Sequence, residues 1–320
     1  MEPFDREDTI QQLKIREMCS IPDELKEQDV LIFHCPFDLI FLDRIDKPSI
    51  LYNHLGGRQN TFMFDIILKE GSSTRYKKLV LKKDKKWIID KHIEMFKRAD
   101  VIISNSKFIQ EQTKKYFGLD SFVVYPTVNT KKFKPPKNKP TRDFFLSVQR
   151  IHWQKRIDIQ IDAFKGTYKR LIIVCGSEFN NYELKRLTED IPNIEIREMV
   201  TDKELLWLYQ NAKATIQTGY LEDFGIVPIE SLACGTPVIV VNEAGFKESI
   251  NNNKLGVRIN YPYVRNLRYT INHFNNNYDT KILRKEAEKY SEERFKKEMK
   301  YYIKMAVERH VLRHNNKTNN

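Results

Sequence analysis

Two glutamates eight residues apart, Glu222 and Glu230, flank a segment whose composition predicts a loop followed by the first turn of a helix. Gly225 permits close backbone approach, and Pro228 fits a first helical turn, where its missing N–H costs little. Free N–H groups and the positive end of the helix dipole suit a phosphate at that point. Carboxylates beside a phosphate site usually bind hydroxyl groups, which indicates a nucleotide sugar or a ribose. The alternative from spacing alone is a pair of solvated charges around an ordinary strand-to-helix turn.

The stretch Glu-Asp-Phe-Gly-Ile-Val-Pro-Ile-Glu from residue 222 to 230 resembles the E-x7-E motif of family 4 (GT4) retaining glycosyltransferases. These enzymes have the GT-B fold of two Rossmann-like domains, and the E-D-F-G-I form is close to that of the family's mannosyltransferases. Four further segments resemble family motifs and occur in the family's order. They are residues 104–106 with 124–135, 145–150 with Lys155, 171–176, and 201–214. The resemblance as a whole covers roughly residues 30 to 310.

The resemblance implies roles for the donor-side residues. Arg150 would bind the donor diphosphate bidentately and Lys155 would add a point charge, so that both stabilise the leaving phosphate. Glu222 would hold hydroxyls of the donor sugar and Glu230 the ribose, and neither is expected to be a covalent nucleophile. The departing phosphate itself would take the acceptor's proton in a front-face substitution. The remaining predicted donor-binding residues are Val200, Asp223, Phe224, Gly225, Ile226 and Val227.

On the acceptor side, residues 52–58 follow a predicted strand and resemble the family's Y-x-H-x-x-x-R pattern. The resemblance predicts that His54 is catalytic together with Glu222, Arg150 and Lys155, either contacting the donor sugar or orienting the acceptor. Arg58 would meet an acceptor anion. The other predicted acceptor-side residues are Tyr52, Gly56 and Gly57. The alternatives are a structural histidine at a strand end, a strand-end salt bridge for Arg150 and a surface position for Lys155.

We identify no Asp-x-Asp motif and no histidine cluster with ligand spacing, and therefore predict no metal and no cofactor. The donor, GDP-mannose or a UDP-sugar, would be a substrate. The four cysteines are widely spaced, which predicts reduced thiols in a cytoplasmic protein, and the first residues lack the pattern of a signal peptide. The longest apolar runs are too short to span a bilayer.

The net charge of +12 is unevenly distributed. Residues 69–98 hold eleven Lys or Arg against four acids, a local net of +7, with Trp87, Ile88 and Ile89 among them. This mixture favours an anionic membrane surface over nucleic acid, and predicts a protein peripheral to the inner face of a membrane. The alternative is a solvated, lysine-rich face.

Strands that alternate with helices predict an α/β fold with two Rossmann-like domains and parallel sheets. Residues 1–29 are acidic and lack an apolar strand, so we expect a shortened N-terminal domain. The predicted domains are an acceptor-side domain over 1–138, a nucleotide-sugar domain over 139–280, a helix over 281–313 that crosses back, and a disordered tail over 314–320. Residues 131–142 would be the linker. Predicted strands are 30–33, 49–53, 101–104, 122–125, 144–148, 171–175, 194–198, 214–217 and 238–241; predicted helices are 85–98, 107–117, 156–164, 182–188, 202–212, 227–234 and 282–312.

The sequence thus predicts a retaining glycosyltransferase that moves a hexose, mannose as first choice, from a nucleoside-diphosphate sugar to a glycan, a lipid-linked or another acceptor. Two alternatives remain open. One is a UDP-sugar-dependent glucosyl- or galactosyltransferase of the same fold. The other is a non-catalytic binding or scaffold protein whose basic patches hold a membrane or nucleic acid.

Overall fold

The computed structural model of the chain describes residues 23–54, 86–87, 89–176 and 181–318, together with residue 11. The chain divides into two compact units, one of Met1–Tyr125 with Lys296–Asn320 and one of Pro126–Phe295. Each unit contains a parallel β-sheet, with four strands in the first and six in the second among the described residues. The predicted α/β class with two parallel sheets is therefore confirmed.

The first unit is built on strands in the order β1-β2-β3-β4, all parallel. Phe33 pairs with Leu51 and Asn53 with Ser104, so the residues that follow β1, β2 and β3 meet at one edge of the sheet. The first unit also contains α1, a 3-10 helix over Pro36–Asp43, helical residues 89–96, and α2. The element bounds are β1 Leu31–Phe33, β2 Ser49–Asn53, β3 Val101–Ser104, β4 Phe122–Val123, α1 Asp23–Glu27 and α2 Lys107–Phe117.

The second unit contains a six-stranded sheet in the order β10-β9-β8-β5-β6-β7. The chain builds outward from β5 through β6 to β7, and then returns to the other side of β5 with β8. The point between β5 and β8 is thus the topological switch point, where open α/β sheets bind their ligands. The strands are β5 Phe144–Val148, β6 Arg170–Cys175, β7 Ile194–Glu198, β8 Ala214–Gln217, β9 Val238–Val241 and β10 Gly256–Ile259.

Helices of the second unit pack against the strands of this sheet. Thr201 caps the third of them by accepting a hydrogen bond from the backbone N–H of Glu204 at 3.2 Å. One buried cluster joins strands and helices; its members include Phe145, Ile161, Phe164, Ile173, Ile216 and Leu267. The helices are α3 Ile157–Phe164, α4 Asn181–Thr188, α5 Asp202–Asn211, α6 Ile226–Ala233, α7 Phe246–Ser249, α8 Val264–His273, α9 Thr280–Glu288 and α10 Glu292–Thr318.

Helix α10 begins in the second unit, and its residues from Lys296 onward belong to the first. Within the first unit its Tyr302 ring packs 4.9 Å from that of Phe122, and Arg309 donates a hydrogen bond to the carbonyl of Asp100 at 3.2 Å. Among the residues described, no helix combines the length and the apolar character needed to cross a membrane. The cysteines in this part of the chain, Cys35, Cys175 and Cys234, are free thiols.

Several sequence predictions need correction. The single helix predicted over 282–312 is two helices, α9 and α10, separated at residues 289–291. The tail predicted to be disordered from His314 is helical up to Thr318. The predicted linker, residues 131–142, lies inside the second unit. Strand β10 and helix α8 were not predicted, because their apolar residues are few and lie between polar ones.

Candidate functional site

The donor-side residues predicted from the sequence gather at the switch point of the second sheet. Arg150 follows β5 by two residues, and Glu222 lies on the loop that follows β8. Because β5 and β8 are adjacent and parallel, their carboxyl ends lie at the same edge. The side chain of Gln217 joins the two strand ends by donating a hydrogen bond to the carbonyl of Val148 at 3.0 Å.

Lys155 and Glu222 form a partly buried ion pair at this edge. The Lys155 Nζ lies 2.7 Å from Oε2 of Glu222, and the two side chains are 19% and 27% exposed. Partial burial weakens solvent screening, so this pair is held more firmly than a surface one. The structure therefore brings together the predicted phosphate-binding cation and the predicted sugar-binding carboxylate, which are 67 residues apart in sequence.

Two residues that sequence analysis missed hold this pair in place. The Thr218 hydroxyl lies 2.8 Å from the carbonyl of Lys155 and 3.1 Å from that of Arg156, and it accepts from Gln160 Nε2 at 2.7 Å. These hydrogen bonds of Thr218 hold the end of β8 against the turn that contains Lys155. Gly219 leaves room for the carboxylate, because a Cβ atom at that position would lie 2.8 Å from Oε2 of Glu222. A Thr-Gly pair directly after a buried strand was the available sequence signal.

Helix α6 begins where the sequence predicted a phosphate-binding turn. Gly225 precedes the helix with φ +89°, and a Cβ atom on it would lie 2.5 Å from the ring of Phe246. The loop is held from the other side by a hydrogen bond from the N–H of Gly245 to the carbonyl of Glu222 at 2.9 Å. Ile226 and Val227 are the first two helical residues, so their N–H groups have no partner within the helix. Pro228 lies in the first turn, as predicted. Gly235, with φ +73°, follows the helix end.

Glu230 lies on the same helix but has a different environment from Glu222. Its Oε2 accepts a hydrogen bond of 2.7 Å from the hydroxyl of Tyr209, whose side chain is fully buried. Burial raises the pKa of Glu230 to about 7, although the Tyr209 hydrogen bond and the charge of Lys132 oppose this rise. Burial and the neighbouring Glu230 in turn raise the pKa of Tyr209. Near neutral pH the carboxyl therefore exchanges between a charged acceptor and a neutral donor.

Arg156 occupies a position whose backbone conformation favours glycine. Its φ is +50°, in the left-handed region, where a non-glycine side chain is strained. Its guanidinium compensates by binding Glu243 at 3.2 Å and stacking 4.4 Å from the centre of the Tyr220 ring. The residue thus links the start of α3 to the loops after β8 and β9.

Arg150 is exposed, and among the described residues it has no ion-pair partner, so its guanidinium is available to an anion. Val200, the other predicted donor-binding residue, lies at the carboxyl end of β7, two strands away from β5 on the sheet. Asp223 and Phe224 lie on the loop before α6, and Phe224 is buried against the ring of Tyr290.

The first unit places three polar side chains at the carboxyl ends of its neighbouring strands. His34 follows β1, His54 follows β2 and Asn105 follows β3. Nε2 of His54 lies 3.0 Å from Nδ1 of His34, and its Nδ1 lies 3.1 Å from Nδ2 of Asn105. Burial and the nearby His34 lower the pKa of His54 to about 4. His54 is therefore neutral at physiological pH and can donate or accept a hydrogen bond.

Tyr52 supports this group of imidazoles from beside the strand. Its ring meets His54 edge to face at 4.7 Å, and its hydroxyl donates to the carbonyl of Val124 at 2.8 Å. Sequence analysis gave no role to His34 or Asn105. Each directly follows a predicted strand, and Asn105 also lies in the segment 104–106 that resembles a family motif. The predicted acceptor-side residues Gly56, Gly57 and Arg58 lie outside the described residues, as does residue 88 and most of the basic segment 69–98.

The histidine pair of α10 was also missed by sequence analysis, which identified no histidine cluster with ligand spacing. His310 and His314 are four residues apart on one helix, so both project from the same face. Asp46, from the loop before β2, faces them.

Similar solved structures define the class of this fold. The fold is similar to that of a sucrose-phosphate synthase from Thermosynechococcus elongatus, with a TM-score of 0.73 and 15% identity over 93% of this chain and 78% of that one. It is also similar to HepE from Anabaena, with a TM-score of 0.67 and 15% identity over 91% of this chain and 80% of that one. The fold is therefore GT-B, as predicted.

Residues 128–298 match the family described as "Glycosyl transferases group 1". The match covers more than half of the chain, and the chain belongs to this family, which is the GT4 family of the sequence prediction.

Two relatives illustrate the sequence similarity. The alpha-1,3/1,6-mannosyltransferase ALG2 of Dictyostelium discoideum is 26% identical over 219 residues, which cover 54% of this chain and 52% of that protein. The O-antigen chain mannosyltransferase RfbU of Salmonella typhimurium is 32% identical over 173 residues, which cover 50% of this chain and 47% of that protein. The chain spans about half the length of these curated relatives.

Proposed function

We propose that this chain is a retaining glycosyltransferase that transfers a hexose from a nucleoside-diphosphate sugar to a glycan, lipid-linked or other acceptor. The observation that supports this most is the ion pair of Lys155 with Glu222 beside the start of α6. It joins a cation, a carboxylate and free helix N–H groups at the switch point, which are the groups that a sugar diphosphate needs.

In the proposed reaction, the bond between the anomeric carbon and the diphosphate breaks, and negative charge grows on the leaving phosphate. Arg150, Lys155 and the N–H groups of Ile226 and Val227 stabilise that charge. The phosphate oxygen takes the proton of the acceptor hydroxyl, which attacks the same face of the sugar. No covalent enzyme intermediate forms, so Glu222 keeps its lone pairs for sugar hydroxyls while Lys155 turns to the phosphate.

Glu230 would bind the two ribose hydroxyls of the donor. Tyr209 supports this role, because its hydroxyl binds Oε2 of the carboxylate and holds the side chain in place. Val200, Asp223, Phe224 and Gly225 would complete the donor pocket. His54, held by Asn105 and His34, would hydrogen-bond the donor sugar or orient the acceptor, with Tyr52, Gly56, Gly57 and Arg58 on the acceptor side.

Mannose is the preferred sugar of this proposal. Two of the relatives are named as mannosyltransferases, and the segment from Glu222 to Ile226 has the form that resembles such enzymes. A UDP-sugar is the second candidate, since HepE has been crystallised with UDP-glucose, although its similarity concerns the fold. Neither a metal nor a cofactor enters the proposed reaction.

A panel of nucleotide sugars separates these donors. Thermal unfolding would be followed with GDP-mannose, GDP, UDP-glucose, UDP and an ADP-sugar, because a ligand that binds the native state raises the melting temperature by mass action. We expect the largest rise with GDP-mannose, and release of GDP when an acceptor is added. A larger rise of the melting temperature with UDP-glucose would indicate that the donor is a UDP-sugar. Binding of no donor, with no donor hydrolysis and no transfer, would favour the non-catalytic scaffold.

The proposal also includes the acceptor and the place of action. A lipid-linked acceptor fits the basic segment 69–98, which would hold the protein peripherally on the cytoplasmic face of an anionic membrane. Co-sedimentation with anionic and neutral liposomes, at low and high salt, tests this attachment. Equal recovery on both vesicles would contradict it, and so would tighter binding to nucleic acid than to either.

A further inference from the structure

The first unit contains a group of potential metal ligands that the proposed reaction does not use. Nε2 of His314 lies 2.9 Å from Oδ1 of Asp46, and Nε2 of His310 lies 3.4 Å from the same oxygen. All three ligand atoms lie within 4.8 Å of one another. Among the described residues this is the one group of three or more His, Cys, Asp or Glu side chains with such spacing.

The separations fit a tetrahedral site. With zinc bonds of about 2.0–2.1 Å, two ligands of a tetrahedron are about 3.3 Å apart, close to the two separations observed. Two imidazoles from one helix face and one carboxylate from a loop leave the fourth position for water, and Asp46 is exposed enough to admit it. Imidazole and carboxylate ligands suit zinc and its neighbours in the first transition series better than Mg²⁺ or Ca²⁺.

A second carboxylate, that of Asp100, faces the other ring nitrogen of His310. Nδ1 of His310 lies 3.4 Å from Oδ2 of Asp100, whose side chain is 1% exposed. Asp100 is fixed by hydrogen bonds from the N–H and hydroxyl of Ser49 at 2.9 Å and 3.0 Å. A buried carboxylate at this position favours the proton on Nδ1, so that the lone pair of Nε2 points toward Asp46. Metal-binding histidines commonly have such a carboxylate behind them.

The nearby charges also permit a cation. Arg313 is the cationic side chain of α10 next to His314, and it pairs with Asp100. Arg98, which follows the helical residues 89–96, pairs with Asp43 at 2.5 Å and with Glu94 at 3.4 Å. Because these guanidiniums are neutralised by their partners, the repulsion of a divalent ion at Asp46 is reduced.

We propose that Asp46, His310 and His314 bind a zinc ion that fastens the C-terminal turns of α10 to the loop before β2. Ser49 begins β2 and Asp100 immediately precedes β3, so the site lies at the amino-terminal edge of the first sheet. His34, His54 and Asn105 lie at the opposite edge. The zinc ion is therefore structural: it stabilises the first unit and takes no part in sugar transfer.

The test uses the full chain, stripped of metal by chelator and dialysis, and ZnCl₂ as the probe. Binding is measured by calorimetry and by competition with a chromophoric chelator, and Co²⁺ is used as a spectroscopic substitute. The variants are His314→Ala and Asp46→Asn; the first replaces a half-exposed helical residue and should fold normally. The matched control is His273→Ala, an exposed histidine on helix α8.

We expect one equivalent of zinc to bind the wild-type protein and the control, to raise the melting temperature of both, and to give a tetrahedral Co²⁺ spectrum without thiolate bands. Loss of a ligand should weaken zinc binding at least 10- to 100-fold, as loss of outer-shell partners does. Three results would overturn the proposal: no binding by the wild type, equal binding by His314→Ala and wild type, or a thiolate-to-cobalt band, which would place the ion on cysteines.

Discussion

Gly219 lies directly beneath the carboxylate of Glu222: a Cβ atom on Gly219 would lie 2.8 Å from Oε2 of that side chain. The contact is with the end of a flexible side chain, and Gly219 does not have a positive φ. An alanine would therefore move the carboxylate and leave the backbone unchanged.

The substitution Gly219→Ala should lower kcat/KM of transfer by about 10- to 100-fold, because displacement of a catalytic group by a fraction of an ångström to 1 Å can cost this much. The melting temperature should change little, since alanine also restricts the unfolded chain. Gly176→Ala is the matched control, because a Cβ atom there meets no atom of the described residues within 4 Å. Equal losses in both variants would show that Gly219 does not act through Glu222.

Removal of the Arg150 guanidinium tests the phosphate-binding role. Arg150→Ala should reduce transition-state stabilisation by about 2–4 kcal/mol, as expected for loss of a charged partner of the leaving group. Stability should be retained, because Arg150 is exposed and has no ion pair among the residues described. Steady-state kinetics of Arg150→Ala and of Arg186→Ala, an exposed arginine on α4, give the comparison. Wild-type turnover in Arg150→Ala would exclude the assigned role.

The raised pKa of Glu230 predicts a pH-dependent effect on stability. Between the ordinary value of 4.5 and about 7 the native state binds more protons than the unfolded state. The free energy of unfolding therefore falls as pH rises through this window, and the cost of the buried charge is fully present above pH 7.

Glu230→Gln removes this cost. Its free energy of unfolding should exceed that of the wild type by about 2–3 kcal/mol at pH 8, with a much smaller difference at pH 5. Denaturant unfolding at the two pH values measures it, and donor binding should weaken in the same variant because the ribose loses its carboxylate. A stability difference that is the same at both pH values would contradict the predicted titration.

His54 should remain neutral throughout the pH range in which the protein functions. Burial and His34 lower its pKa to about 4, so its imidazole should show no titration above about pH 5. NMR of labelled imidazoles follows the His54 ring across this pH range. In His34→Ala the pKa of His54 should rise, because one of the two causes of its shift is removed. An inflection of His54 near pH 6.5 in the wild type would refute the prediction.

Removal of metal ions by a chelator should leave catalysis unchanged and lower stability. We expect EDTA to leave turnover unchanged at a temperature well below the melting point, since Arg150, Lys155 and a helix start meet the phosphate charge. The same treatment should lower the melting temperature if zinc is bound at Asp46, His310 and His314. Complete loss of turnover on chelation, restored by Mg²⁺ or Mn²⁺, would contradict a metal-independent reaction without bearing on the zinc site.

The sequence by itself determined the local elements of this protein. Buried strands such as Ser49–Asn53 and Val238–Val241 were predicted with their observed bounds, because apolar runs this short and rich in β-branched or aromatic residues favour a strand over a helix. The turn before α6, with Gly225 and Pro228, was predicted for the same local reason. The helix break at residues 289–291 was missed, since the helical spacing of apolar residues on both sides concealed it.

Only the tertiary structure decided which of these elements meet. Lys155 reaches Glu222, and His54 lies between His34 and Asn105, because strand order and register place their strand ends side by side. The same holds for Asp46 with His310 and His314, which are more than 260 residues apart in sequence. The pKa of Glu230 likewise depends on burial beside Tyr209. Local patterns of polarity encode the face and length of an element, whereas these contacts depend on how the whole chain packs.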